Sequence, residues 1–363
     1  MINLFQFLLK VRSSQKSPKL NSSSGMTMIE LLVGTVIAFI IITPLMGMVI
    51  GLLNDDSREQ AKATTDEEIN SALQYISDDM SQATYIYDKK GITALLNQGA
   101  NAIIPAATAD STPILVFWKR KIVENGIPVS GQTITSCKYP NADDTKCDDT
   151  YVLSLVAYYL DKSNNATFCP SDGGACPARI TRFEIQDGVK DLAGNPLCEG
   201  ANANNCGAPQ RREPGFPTSV NTTQLTSVTK ELNEQIPNVS SLPVLVNYID
   251  ISTANVPATV TCTNVLGIDT TNAQALKDRN FANATEAQDA VLVKTNSFTG
   301  SASFPDSKSF YACVDSHANV AQIYLRGNAL RRIQKDANYS PNSPALFPTA
   351  TMQVRGLGTF GKQ

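Results

Sequence analysis

The stretch "SSSGMTMIELLVGTVIAFIIITPLMGMVIGLLNDD" (residues 22–56) carries one acid, Glu30, at the head of an otherwise uncharged run. That run, Leu31 to Leu53, reaches roughly 35 Å at about 1.5 Å per helical residue, enough to cross a bilayer with some tilt. Residues 1–25 hold Lys10, Arg12, Lys16 and Lys19 and no acid, so this end is expected in the cytoplasm and the rest of the chain outside it. A cleaved secretory signal fits poorly, because it needs a shorter apolar core and a small-residue cleavage site, and "LLNDDSREQ" is a poor one. A plain signal anchor leaves Glu30 unexplained. An acid at the centre of a membrane helix costs about 2.5–3.5 kcal/mol on insertion scales, less near an interface, and it asks for a partner.

A partner arises if the chain is cut between Gly25 and Met26. The new α-ammonium then lies one helical turn from Glu30, and the ammonium of a neighbouring copy can neutralise that carboxylate when helices stack side by side. Gly25-Met26-Thr27-Met28-Ile29-Glu30-Leu31-Leu32-Val33 resembles, position by position, the type IV pilin-like superfamily. That family has a basic leader, a glycine at the cut, a hydrophobic residue, glutamate at the fifth mature position and then an apolar helix. Met26 stands where the family usually has phenylalanine.

The resemblance implies a prepilin peptidase that cuts after Gly25 and methylates the Met26 amine. A residue without Cβ suits the cut, since it lets a protease approach the backbone closely. The organisation expected is a cytoplasmic leader at 1–25, removed on maturation, followed by a transmembrane and filament-assembly helix at 26–53. Its amphipathic continuation covers 54–83, and a β-rich exported head covers 84–363.

Composition agrees with export. Eight cysteines, none in the leader or the apolar run, suit an oxidising compartment. Of 30 basic residues four lie in the leader, which leaves 26 against 33 acidic residues, a net of −7. This balance argues against a nucleic-acid partner or a polybasic membrane surface.

Beyond the bilayer, Ile69, Ala72, Leu73, Ile76 and Met80 recur at helical spacing, with Asp66, Glu67, Asp78 and Asp79 assigned largely to the outer side. Pro44 removes a backbone donor and is expected to kink or locally melt the helix, with Gly34, Gly47 and Gly51 adding softness. After Ala83 the pattern changes to β-rich runs at 114–123, 151–160, 178–186, 242–251, 308–316 and 321–333, enough for one antiparallel sheet packed on the helix. Residues 151–186 read as a long hairpin with the loop "SNNATFCPSDGGACP". The turn-rich stretch 187–240 reads as a functional or flexible loop. The fold class is α+β: a long N-terminal helix on an antiparallel sheet, with long disulfide-stapled loops.

Proximity pairs Cys137 with Cys147, Cys169 with Cys176 and Cys198 with Cys206, leaving Cys262 with Cys313, one choice among the 105 connectivities of eight cysteines. Zinc is disfavoured, because there is no C-x-x-C spacing and His317 is the single histidine. His317 follows Asp315 and Ser316, but adjacent residues at a strand end point apart, so no triad is assembled. Asp143, Asp144, Asp148 and Asp149 form a weak calcium candidate, with a solvated charge run as the commoner meaning of such a cluster. "QDGVKDLAGNP" (186–196) reads as a pair of turns. No catalytic constellation or cofactor motif is legible, so the chain reads as a non-enzyme without a cofactor.

A large, loop-rich, stapled head resembles the big minor pilins and J-type minor pseudopilins. "FYACVDSHANVAQIYLRGNALRRI" (310–333) and the overall layout resemble most the pseudopilins of cyanobacterial hormogonium polysaccharide secretion, which are linked with gliding motility. The expectation is a single-pass inner-membrane subunit with its head in the periplasm, later part of a periplasmic or extracellular filament. Its expected partners are the prepilin peptidase, other pilin-like subunits, the inner-membrane assembly platform and an exported polysaccharide. The competing reading is a membrane-tethered adhesin or carbohydrate-binding protein.

Overall fold

The computed structural model describes residues 27–169 and 176–358. The chain divides into two units, Met1–Asp56 and Ser57–Gln363. One helix, α1 (Met28–Ser81), contributes residues to both.

In the first unit, Thr27 starts the helix. Its carbonyl accepts from the N–H of Glu30 (3.0 Å) and of Leu31 (3.2 Å), and its hydroxyl lies 3.3 Å from the Glu30 nitrogen. Local melting at Pro44 is absent. α1 is continuous through that residue, although its ring deprives the preceding turn of one donor. All residues of α1 up to Gln60 are exposed.

In the second unit, α1 buries Ala61, Thr65, Ile69, Ala72, Leu73, Ile76, Asp79 and Met80, a stripe of three- and four-residue steps. The stripe packs on a five-stranded antiparallel sheet, β1 (Ala83–Ile86), β2 (Ser111–Pro128), β3 (Cys147–Asp161), β4 (Ala178–Gln186) and β5 (Val244–Ile249), paired in chain order. β2 and β3 form the long central hairpin, with Lys119 opposite Ser154 and Phe117 opposite Val156. β3 and β4 place Tyr158 opposite Arg182. Burying the aliphatic stripe residues contributes about 1.5–3 kcal/mol for each large side chain.

A second antiparallel sheet holds β6 (Leu292–Val293), β7 (Phe310–Asp315), β8 (Val320–Arg326) and β9 (Thr349–Arg355). The single sheet expected from sequence is therefore two. They touch where Ile249 bridges Gly327 and where the buried pair Arg326–Asp250 (2.9 Å) joins the ends of β8 and β5. A Cβ on Gly327 would stand 2.2 Å from Cδ1 of Ile69 and 2.7 Å from Cγ2 of Thr65, so only glycine lets this junction sit against α1.

The stretch 187–240 is no loose loop. Phe216 is fully buried and meets Trp118 edge-on at 5.9 Å, and Leu225, Val228 and Val239 join the main core. Tyr87 ties this cover down, since its hydroxyl donates to the Leu225 carbonyl (2.7 Å) and accepts from the Trp118 indole (2.7 Å). Three short helices, α3 (Cys262–Val265), α4 (Ala273–Lys277) and α5 (Ala284–Val291), build a satellite core over β7; α2 (Lys89–Leu96) is capped by the Asp88 carboxylate.

Four disulfides join Cys137–Cys147, Cys169–Cys176, Cys198–Cys206 and Cys262–Cys313. The first and third share a small core with Val123, Val152 and Val189 at the hairpin end. The long apolar N-terminal helix, the antiparallel sheets and these bridges together make an α+β fold consistent with the pilin-like description.

Candidate functional site

The candidate assembly site is the N-terminal part of α1. Gly25 and Met26 lie outside the described residues. Glu30 occupies the first turn of α1, exposed, where the helix dipole favours negative charge. From Leu31 to Leu53 the only side chains with hydrogen-bonding groups are the two threonines, and both are satisfied within the helix. Thr35 donates to the Leu32 carbonyl and Thr43 to the Phe39 carbonyl, each at 2.8 Å. The surface thus shows no unpaired hydroxyl to an apolar environment, which is what burial in lipid or against another helix requires. By length and composition this helix can cross a membrane.

A second set of residues fastens the head to α1. Asp79, which the sequence assigned to the outer side, is buried. It receives Lys119 through Oδ1, the Tyr158 hydroxyl at Oδ2 (2.7 Å) and the Arg182 guanidinium at Oδ2 (2.9 Å). Glu184 extends the network, taking Arg182 at 2.7 Å and the Ser154 hydroxyl at 2.8 Å, with Lys121 at 3.3 Å. Burial pushes the Glu184 carboxyl up, but Arg182, Lys119 and Lys121 outweigh it and hold it at about 2. Asp79 is likewise held below its ordinary value against its own desolvation by Arg182 and Lys119. Closer to the start of the buried stripe, Arg332 pairs with Glu68, bonds the Thr65 hydroxyl (2.8 Å) and lies 4.4 Å over the Tyr248 ring. Sequence reasoning named Asp79 only as an outer-side acid and singled out none of the others; the one available signal was that Asp79 stands three residues after Ile76, in step with the apolar stripe.

The acid cluster is dispersed among its neighbours. Asp143 binds Lys146 (2.7 Å) and the Thr145 hydroxyl (2.6 Å), contacts that hold its carboxyl down at about 2. Asp144 and Asp149 both serve Asn125, one at its side-chain amide and one at its backbone N–H, each at 2.8 Å. Asp148 lies on β3 opposite Ile127. Among the described residues no group of three His, Cys, Asp or Glu side chains is placed to hold a metal ion. His317 is exposed just beyond β7, its backbone N–H donating to Asp315 (3.1 Å). Within 186–196, Lys190 pairs with Asp187 (2.6 Å) and Asp191 closes a turn with Asn195 (2.8 Å).

No family model, curated protein or solved structure matches this chain.

Proposed function

We propose that the chain is a minor pseudopilin, a non-enzymatic structural subunit of a type IV pilus-like secretion filament serving polysaccharide export and gliding motility. The observation that carries this reading is one uninterrupted helix with two chemically different parts. The first begins with Glu30 and is apolar and fully exposed; the second buries one face against a stapled β-rich head. In this reading the first part resides in the inner membrane until assembly and then packs among the helices of other pilin-like subunits. The second holds the head in the periplasm. Glu30 meets the Met26 ammonium of a neighbouring subunit, an ion pair that offsets the desolvation of both groups only if both are present.

The proposed partners are a prepilin peptidase, other pilin-like subunits, an inner-membrane assembly platform and the exported polysaccharide. The test is mass spectrometry of membrane-extracted protein. The expected mature N-terminus is N-methylated Met26, and Gly25→Val is expected to block the cut by putting a branched side chain where the protease needs the backbone. An intact leader on the wild-type protein, or cleavage after Leu53, would overturn the reading.

A further inference from the structure

We infer that the head carries a binding cleft for an acidic saccharide, its carboxylate held by Lys230; this rests on the polysaccharide-export reading and specifies its cargo. The cleft, about 530 Å³, lies where β2 begins and β3 ends, closed by the segment 236–240. Its size falls within the range of small-ligand sites. Ile104, Pro105 and Val239 give it apolar surface suited to the C–H face of a sugar ring, while Asn238 and Ser240 bring amide and hydroxyl groups suited to its hydroxyls.

Charge accounting selects an acidic ligand. Of the two carboxylates lining the cleft, Asp110 is neutralised by Lys162 at 2.6 Å and Asp161 by the buried Arg179. Lys230 also lines it, donating to the Glu234 carbonyl, and among the described residues no carboxylate lies within ion-pair distance of its ammonium. The cleft therefore carries one uncompensated positive charge, which a uronate carboxylate would match with a charge-assisted hydrogen bond.

A second observation stands apart from the cavity itself. Arg179 is 1% exposed, and its Nη2 holds the carbonyl and hydroxyl of Ser163 (2.9 Å each), a residue of the cleft wall; its Nη1 has no hydrogen-bond partner. Two residues along the same face of β4, the buried Thr181 hydroxyl is also unpaired. Buried donors in native proteins are nearly always satisfied, so the free Nη1 of Arg179, one residue behind the cleft wall at Ser163, leaves a donor for a water that could bridge to a ligand oxygen.

The test is calorimetric titration of the detergent-solubilised full chain with digalacturonate, with maltose as the neutral disaccharide and acetate as the bare carboxylate. The expected result is saturable digalacturonate binding that weakens with salt, at least about tenfold tighter than maltose. Lys230→Gln should abolish that preference and Lys230→Arg should keep it, with the melting temperature and four disulfides unchanged. Equal affinity for the two disaccharides, no saturation by digalacturonate in the millimolar range, or a preference that survives Lys230→Gln would overturn the inference. Acetate competing as well as digalacturonate would reduce the cleft to an anion site and overturn its saccharide part. Binding is read on the isolated chain and assembly is read through Glu30, so either reading can fail while the other stands.

Discussion

Asp79 on α1 and Arg182 on β4, 103 residues apart in sequence, meet at 2.9 Å in the buried seam between helix and sheet. With Lys119, Tyr158 and Glu184 they form the polar centre of an otherwise apolar contact. Removing one partner of a buried pair strands the other, at about 3–5 kcal/mol. Asp79→Asn is therefore expected to lower the denaturation midpoint of the solubilised chain strongly, and Asp79→Asn with Arg182→Met to cost less than the two changes summed. Additive losses would show that the two side chains act independently.

Acid should unfold the head through the same network. Glu184 is lowered from its ordinary 4.5 to about 2, and Asp79 is lowered too, so between those values the native state binds fewer protons than the unfolded chain. Their stabilisation is present above the ordinary carboxylate range and is lost as pH falls toward about 2. Asp88 and Glu213, raised by burial, act in the opposite sense: their contribution is present at low pH and lost as pH rises through their raised values. Melting temperatures followed down through this range should fall more steeply for wild type than for Glu184→Gln, and parallel curves would remove Glu184 from the explanation.

Gly327→Ala should destabilise the head by about 1–3 kcal/mol, because its Cβ would overlap Cδ1 of Ile69 in a packed core. Trimming Ile69 to Val removes that atom. The pair Gly327→Ala with Ile69→Val is accordingly expected to lose less than the sum of the single changes, measured by urea denaturation.

Among the disulfides, Cys262–Cys313 spans 51 residues and Cys198–Cys206 spans 8. The chain-entropy relation assigns the longer loop about 4 kcal/mol and the shorter about 2.6. Serine replacement of the first pair should lower the melting temperature more than replacement of the second, and a reversed order would show that strain or residual structure outweighs loop entropy. Digestion without reductant should yield all four linked peptides and no free thiol.

Glu30→Ala should enter the membrane more readily than wild type, since an intramembrane charge is removed. Leader cleavage is expected to persist while assembly fails, because the neighbour's ammonium would be buried without its counter-charge at about 3–5 kcal/mol. Glu30→Gln, which keeps an acceptor but no charge, should be intermediate. Crosslinking to filament partners and assays of export and motility in cells give the readout, and normal crosslinks with Glu30→Ala would make the carboxylate incidental.

The residues that spoke in the sequence did so through local pattern. Leu31–Leu53 announces an apolar helix by its length alone, and the stripe at Ile69, Leu73, Ile76 and Met80 carries that helix to within two residues of its observed end at Ser81. Runs such as 178–186 coincide with their strand because β-branched and aromatic residues crowd a stretch bounded by turns. Glu30 stood out because nothing else near it was charged, and the three short-range disulfides because few residues separate their partners. β1, at four residues, and β6, at two, were too short to display a period, and β9, "TATMQVR", turns Ala350, Met352 and Val354 inward but buries only Val354 fully, with threonines, Gln353 and Arg355 on its exposed side.

What only the tertiary structure decided is where polar residues and long loops go. Asp79 looked like a solvent-facing acid, since its partners Lys119, Tyr158 and Arg182 lie 40, 79 and 103 residues away and no local window contains them. Phe216 and Leu225 turned a polar stretch into a core cover by meeting Trp118 on β2 and Tyr87 just after β1, both far upstream. The partition into two sheets, the close approach at Gly327 and the cleft around Lys230 are of the same kind. Hydrophobic periodicity reports which face of an element is buried on average, whereas ion pairs, cavities and glycine contacts depend on distances between segments that only the folded chain brings together.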